Sequence, residues 1–165
     1  MKSFKINIIV DNAILIALYV ALSLITYPIS FGPIQFRFAE ILVLLCFFRK
    51  DFAVGLTLGC ALANLGSFSP FDILFGSLAT LLSCFVIMFS KHLIIGITAP
   101  VIFNAFIVGF ELHFLMGEPL WFTIGTVALG EGVVMIIGYI FFMLMKKRKN
   151  FLSFIKANQN LDFKI

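Results

Sequence analysis

Arg37, Glu40, Asn64, Asp72, Asn104, Glu111 and Glu131 are polar or charged residues that stand inside or at the ends of long apolar runs. Buried away from water, such groups carry a large desolvation penalty unless they face one another or a ligand. Between them they offer carboxylate acceptors, amides that both donate and accept, and one guanidinium with five donors. That inventory suits recognition of a small polar molecule by hydrogen bonds, with carboxylates to spare for a cationic group. Asn104 and Glu111 are two helical turns apart and share a face. Arg37 and Glu40, three apart, also share one, so an internal ion pair that neutralises both is the competing expectation. Asp72, following Pro70-Phe71 at a helix start, suits a helix cap equally well. Glu131 is flanked by Gly130 and Gly132, which let a backbone or a flat ligand approach, and no cation is placed as deep in the chain.

The elements that must position these residues are membrane helices. The 165 residues are 62% hydrophobic and only 12% charged, with mean hydropathy +1.13. A soluble domain carries about 25% charged residues, so a water-soluble globule is excluded. A spanning helix needs about 20 apolar residues. Six runs qualify or nearly so: 6–27, 36–48, 52–67, 71–89, 93–116 and 119–145. The second and third are short for a full crossing. The expected fold is an all-α membrane protein with six transmembrane helices: residues 1–149 form the membrane domain and 150–165 a polar cytoplasmic tail, loosely ordered or resting on the inner surface. The first run follows Lys2 and Lys5 but leads into further membrane sequence, which reads as an uncleaved helix rather than a signal peptide.

Basic residues orient such a bundle. With the N-terminus inside, 11 of the 12 lysines and arginines fall on the cytoplasmic side and only Arg37 falls outside. Both termini are therefore expected in the cytoplasm of a multi-pass cell-membrane protein, and Lys146-Lys147-Arg148-Lys149 is an orientation anchor, not a nucleic-acid contact. In this topology Glu40, Asn64, Asp72, Glu111 and Asn104 lie in the outer half, and Glu131 about 17 Å down its helix. The inner half holds almost nothing equivalent, which predicts a polar cup open to the outside. Phe36, Phe103, Phe110 and Trp121 fall at the depth of the cup, where aromatic faces stack on planar ligands at about 1–3 kcal/mol each. His113 reads as an interfacial residue. Cys46, Cys60 and Cys84 stand singly in apolar runs, so neither a disulfide framework nor a metal site is expected.

The residues that carry these features also carry a resemblance. Gln35-Phe36-Arg37-Phe38-Ala39-Glu40, Gly55-Leu56-Thr57-Leu58-Gly59-Cys60 with Asn64, residues 72–81 from Asp72, Phe103-Asn104-Ala105-Phe106-Ile107-Val108-Gly109 and Gly130-Glu131 resemble the queuosine-precursor transporter (QueT) family. These are substrate-binding S components of energy-coupling-factor (ECF) transporters. The resemblance covers about residues 10–140 and departs at Ala39, where the family has serine. It implies a six-helix S component with an outward-facing pocket and a 7-deazaguanine ligand, queuine or 7-aminomethyl-7-deazaguanine. Glu131 and Asn104 would then read the base, and Glu40, Asp72 or Glu111 would hold the ligand's amine. Helix one carries Ala13, Ala17 and Ala21 at a spacing of four, and helix three Gly55, Gly59 and Ala63. Such stripes permit close helix packing in lipid. For helix three, packing within the bundle is the expectation. For helix one the resemblance implies docking on a membrane-embedded T component that is linked to two ATPases.

Two other classes of protein could use such residues. A self-sufficient proton-coupled carrier would use Glu131 as its proton site, but many such carriers show repeated halves, and none is visible. An enzyme would need a nucleophile and base, or a metal triad, at one depth, and the sequence offers neither. No GxxxxGK[ST] loop is present, so ATP hydrolysis is expected of partner subunits, and no cofactor is expected.

Overall fold

The computed structural model describes residues 2–30, 34–67 and 69–157. All regular elements among them are helical. In chain order they are α1 (Lys2–Ile25), α2 (Tyr27–Ser30), the 3-10 helix η1 (Phe38–Phe47), α3 (Phe52–Ala63), the 3-10 turn η2 (Asn64–Gly66), α4 (Asp72–Phe89), α5 (Leu93–Gly96), α6 (Thr98–Met116), α7 (Leu120–Lys146) and α8 (Lys149–Phe154). Four stretches are long and apolar enough to cross a bilayer: Ile6–Ile25, Asp72–Phe89, Leu93–Met116 and Leu120–Lys146. The second and third apolar runs form the shorter helices Phe38–Phe47 and Phe52–Gly66.

Two local departures from plain α-helix have physical causes or consequences. The run expected as one helix over 93–116 is divided, with α6 beginning at Thr98. Pro100 lacks an N–H and fits only in the first turn of a helix, so α6 starts just before it. In the second run the backbone winds as a 3-10 helix for ten residues, far longer than the usual three or four. At about 2.0 Å rise per residue it covers about 20 Å, where an α-helix would cover about 15 Å.

The 3-10 winding also stacks residues three apart, so Glu40, Val43 and Cys46 form one column, and all three are fully buried. η1 is the central element, packed between α1, α3, α4 and α7. The apolar core forms around it from Val43, Leu44, Leu56, Ile87, Val134 and Met135. Glycines bring the surrounding helices close. A Cβ on Gly59 would lie 2.9 Å from the Tyr19 Cβ, and one on Gly55 would collide with the Asn12 side chain, whose Oδ1 accepts from the Gly55 N–H at 2.8 Å. The stripe on α3 is thus spent on packing against α1. Ala13, Ala17 and Ala21, on the other side of α1, are exposed.

The basic end of the bundle is closed by an ion cluster. Arg49 is buried; it donates to Asp11 Oδ2 at 2.7 Å, to Asp51 through Nε at 3.0 Å, and to the Ile155 carbonyl at 3.2 Å. These carboxylates, Asp51 foremost, hold the guanidinium above its ordinary pKa. Lys50 lies over the Phe89 ring at 4.7 Å, so the ends of η1 and α4 meet here. Phe151 of α8 packs edge-on against Phe48, with centroids 5.9 Å apart. Residues 150–157 of the expected tail therefore fold back on the bundle; the rest of the tail lies outside the described residues.

Candidate functional site

At the end of the bundle opposite the basic cluster, α4 begins where α3 ends, and Asn64 closes the connection. Its Nδ2 donates to the Asp72 carbonyl at 2.8 Å. Asp72 is the first residue of α4, not its cap, and no side chain caps the helix. Its carboxylate instead pairs with Arg37 at 3.7 Å, both side chains 6% exposed. Gly76, one turn on, leaves room for this pair of neighbours: a Cβ there would lie 3.2 Å from an Arg37 terminal nitrogen and would collide with Asn64. Arg37 also donates from Nε to Gln35 Oε1 at 3.1 Å. Glu111 comes in from α6, where Ser69 donates to its Oε1 at 3.0 Å.

Glu40 is not paired with Arg37 as the spacing allowed. Its Oε1 accepts from the Tyr19 hydroxyl at 2.6 Å and from Thr80 at 2.7 Å, with Cys60 Sγ at 3.9 Å. Its Oε2 has no hydrogen-bond partner. Glu131 and Asn104 are completely buried. Gly130, beside Glu131, supports the segment before η1: a Cβ there would collide with the Gln35 carbonyl oxygen. That shelf brings α7 against the chain just ahead of Arg37. One cation, Arg37, acts electrostatically on Glu40, Glu111 and Glu131 and is ion-paired with Asp72. If all four carboxylates are ionised, the cluster carries an excess of negative charge.

The polar residues at this end differ from ordinary interior in their hydrogen bonding. Buried polar side-chain atoms in folded proteins nearly always have partners. Among the described residues ten have none, and nine of these belong to Arg37, Glu40, Asp72, Asn104, Glu111 and Glu131. The tenth is Thr57 Oγ1. Both oxygens of Glu131, both amide atoms of Asn104 and both terminal nitrogens of Arg37 are in this condition. Asn64, by contrast, is satisfied within the protein.

The aromatic expectations divide. Phe36 and Phe103 are half-buried, whereas Phe110 and Trp121 are exposed, Trp121 at 79%, and so stand on the outer surface of the bundle. His113 hydrogen-bonds the Glu118 carbonyl at 2.7 Å, a local contact at a helix end. Sequence reasoning missed Tyr19, Thr80, Cys60 and Gln35 as partners of the cluster. Helical spacing carried a signal for two of them. Thr80 lies two turns from Asp72 with Gly76 between, and Tyr19 two turns from Asn12, on the face of α1 away from its alanines.

Comparison with known proteins settles the family. The model of the QueT transporter family matches residues 9–147. The chain belongs to the QueT transporter family. A relative from Lactococcus lactis subsp. cremoris (strain MG1363), the queuosine precursor transporter QueT, is 36% identical over 154 residues, covering 84% of this chain and 91% of the relative. No solved structure matches the chain. As a QueT transporter with four helices of spanning length, it is a multi-pass membrane protein that moves a solute, not an enzyme. The five segments that carry the resemblance all fall within the matched residues.

Proposed function

We propose that this QueT-family chain is the substrate-binding S component of an ECF-type importer in the cell membrane, and that it captures a 7-deazaguanine queuosine precursor from outside. The observation that carries this reading is the set of seven buried polar atoms without a hydrogen bond on Arg37, Glu40, Asp72, Glu111 and Glu131, joined by two more on the fully buried Asn104. A guanine-like edge presents a ring N–H beside an amino group. Glu131, with both oxygens free of partners, is suited to accept both bonds as a charge-assisted pair. The Arg37 nitrogens and the Asn104 amide suit the ligand's carbonyl and remaining polar edge. The surplus of carboxylates, Glu40, Asp72 and Glu111, suits a cationic aminomethyl group. Phe36 and Phe103, both half-buried, are assigned the stacking on the base, and Trp121 is left to the bilayer interface. The name of the Lactococcus relative agrees with the ligand class.

In this reading α1, η1, α3, α4, α5 with α6, and α7 cross the membrane with both termini inside, as the 11-to-1 division of basic residues favours. The extended winding of η1 supports a crossing by so short a run. Motive power comes from a T component and two ATPase subunits, and the exposed Ala13, Ala17 and Ala21 face of α1 is the docking surface. Small residues there admit close approach of another helix in lipid. The deciding experiment is to purify the protein from cells and weigh the extracted ligand by mass spectrometry, then measure uptake with and without the partner proteins. A 7-deazaguanine and partner-dependent uptake are expected. A different class of ligand refutes the site assignment, and full uptake by the chain alone makes it a self-sufficient carrier.

A further inference from the structure

α1 has two opposed faces. It is the least buried of the four long helices: 17% of its apolar stretch is buried, against 39–44% for the others. Ala13, Ala17 and Ala21 lie exposed along it. Tyr19 is two residues from both Ala17 and Ala21, about 200° around the helix, and is only 3% exposed. Its ring is seated close on α3 at Gly59. Its hydroxyl donates to Glu40 Oε1 at 2.6 Å. The other oxygen of Glu40 is buried and unpartnered. Among the described residues, no other α1 side chain hydrogen-bonds a member of the polar cluster. The remaining polar anchors between α1 and the η1–α3 region are Asp11 to Arg49 and Asn12 to Gly55, near the basic end. From Asn12 to Tyr19 is about 10 Å along the helix. The polar contacts that hold α1 are thus charged and amide pairs at one end and a single hydroxyl at the level of the site.

We infer that Tyr19 is a positioning residue that transmits occupancy of the site to the exposed face of α1, through its hydrogen bond to Glu40. A ligand donor that engages Glu40 Oε2 turns the carboxylate against the Tyr19 hydroxyl. α1, with the least buried surface, is the helix that yields, swinging about its anchors at Asp11 and Asn12. Thr80 donates to the same Glu40 oxygen at 2.7 Å but belongs to α4, which carries no alanine face. It therefore orients Glu40 without passing the signal on. The inference rests on the reading of Glu40 as a ligand group and of the alanine face as the docking surface.

Linkage makes this measurable, because the ligand must change partner affinity by the same factor as the partners change ligand affinity. The ligand Kd is measured with 7-aminomethyl-7-deazaguanine for the isolated protein and for the nucleotide-free complex with the T component and ATPases. Parent, Tyr19→Phe and Thr80→Val are compared by the ratio of the two constants, whatever each substitution does to affinity itself. The parent ratio is expected to be about 5- to 150-fold, the usual range for coupled sites. Tyr19→Phe is expected to bring it within about two-fold of unity, and Thr80→Val to leave it as in the parent. A parent ratio of one, a Tyr19→Phe ratio like the parent's, or an equal loss in Thr80→Val overturns the inference. In the full-length protein alone, spin labels on Ala21→Cys and Leu78→Cys should change separation when ligand is added; an unchanged distance overturns it however Tyr19→Phe folds. Failure of the parent to bind any 7-deazaguanine, or to assemble with those partners, instead refutes the functional reading and takes the inference with it.

Discussion

Glu131→Gln tests the chemistry of the site most directly. The parent side chain is fully buried, and neither of its oxygens has a partner in the protein. A carboxylate there can accept two donors of a guanine-like edge, each charged hydrogen bond being worth about 1.5–3 kcal/mol. Glutamine keeps one acceptor, now uncharged, and turns an N–H toward a ligand N–H. One bond is lost and the other weakened, so the change should be about 2–4 kcal/mol, or about 30- to 1000-fold in Kd. The same substitution replaces a buried carboxylate by an amide, which is less unfavourable to desolvate. Unfolding of the ligand-free protein should therefore occur at the same temperature or higher. Calorimetry with 7-aminomethyl-7-deazaguanine and thermal unfolding in the same detergent check both halves. Binding within about three-fold of the parent would refute the base-reading role, since that corresponds to less than 1 kcal/mol. A loss of binding accompanied by a lower unfolding temperature would make Glu131 a structural residue.

Gly130→Ala should lower stability by about 1–3 kcal/mol or more, because its Cβ meets the Gln35 backbone and not a side chain that can move; Gly132→Ala meets nothing within 4 Å and should be close to neutral, as unfolding midpoints of the pair will show. Ala17→Trp should leave ligand binding to the isolated protein within about two-fold, well under 1 kcal/mol, while abolishing uptake and co-purification of the partners. Loss of binding, or survival of the complex, would put the docking surface elsewhere. Cysteines introduced at Ile34 and Gly117 should react with an impermeant reagent in intact cells, and cysteines at Lys2 and Lys149 should not; labelling at either terminus would reverse the proposed topology.

The candidate site was legible in the sequence because an apolar chain makes every charge conspicuous. Arg37, Glu40, Asp72, Asn104, Glu111 and Glu131 stood out by the cost of burying them, and among the described residues these six own nine of the ten buried polar side-chain atoms without a hydrogen bond. Their pairing was harder to read. A spacing of three offered Arg37 to Glu40, but a neighbour from α4 took the arginine, and hydroxyls from α1 and α4 took the glutamate. Such contacts depend on which helices are adjacent, and the pattern within any single run does not contain that information. The 3-10 winding of η1 was likewise hidden, since Phe38–Phe47 is apolar on nearly every side and has no polar face whose period would betray its pitch. Trp121 shows the opposite limit. Depth along a helix was readable, but the direction of its side chain around α7 was not.

The central place of η1 has a consequence for how the protein is made. Its walls are α1, which precedes it, and α3, α4 and α7, which follow. The last of these is completed only at Lys146. During synthesis the N-terminal helix can settle in lipid on its own, because most of its surface already suits that solvent. The segment carrying Arg37 and Glu40 cannot, since its charges and thin 3-10 backbone have no shelter until Gly130 arrives beneath Gln35. Order of enclosure therefore differs from order of emergence: the second segment to leave the ribosome is among the last to be surrounded. A nascent chain halted before residue 120 holds its most buried segment with one side open, which makes that interval the stage at which membrane quality control would find it.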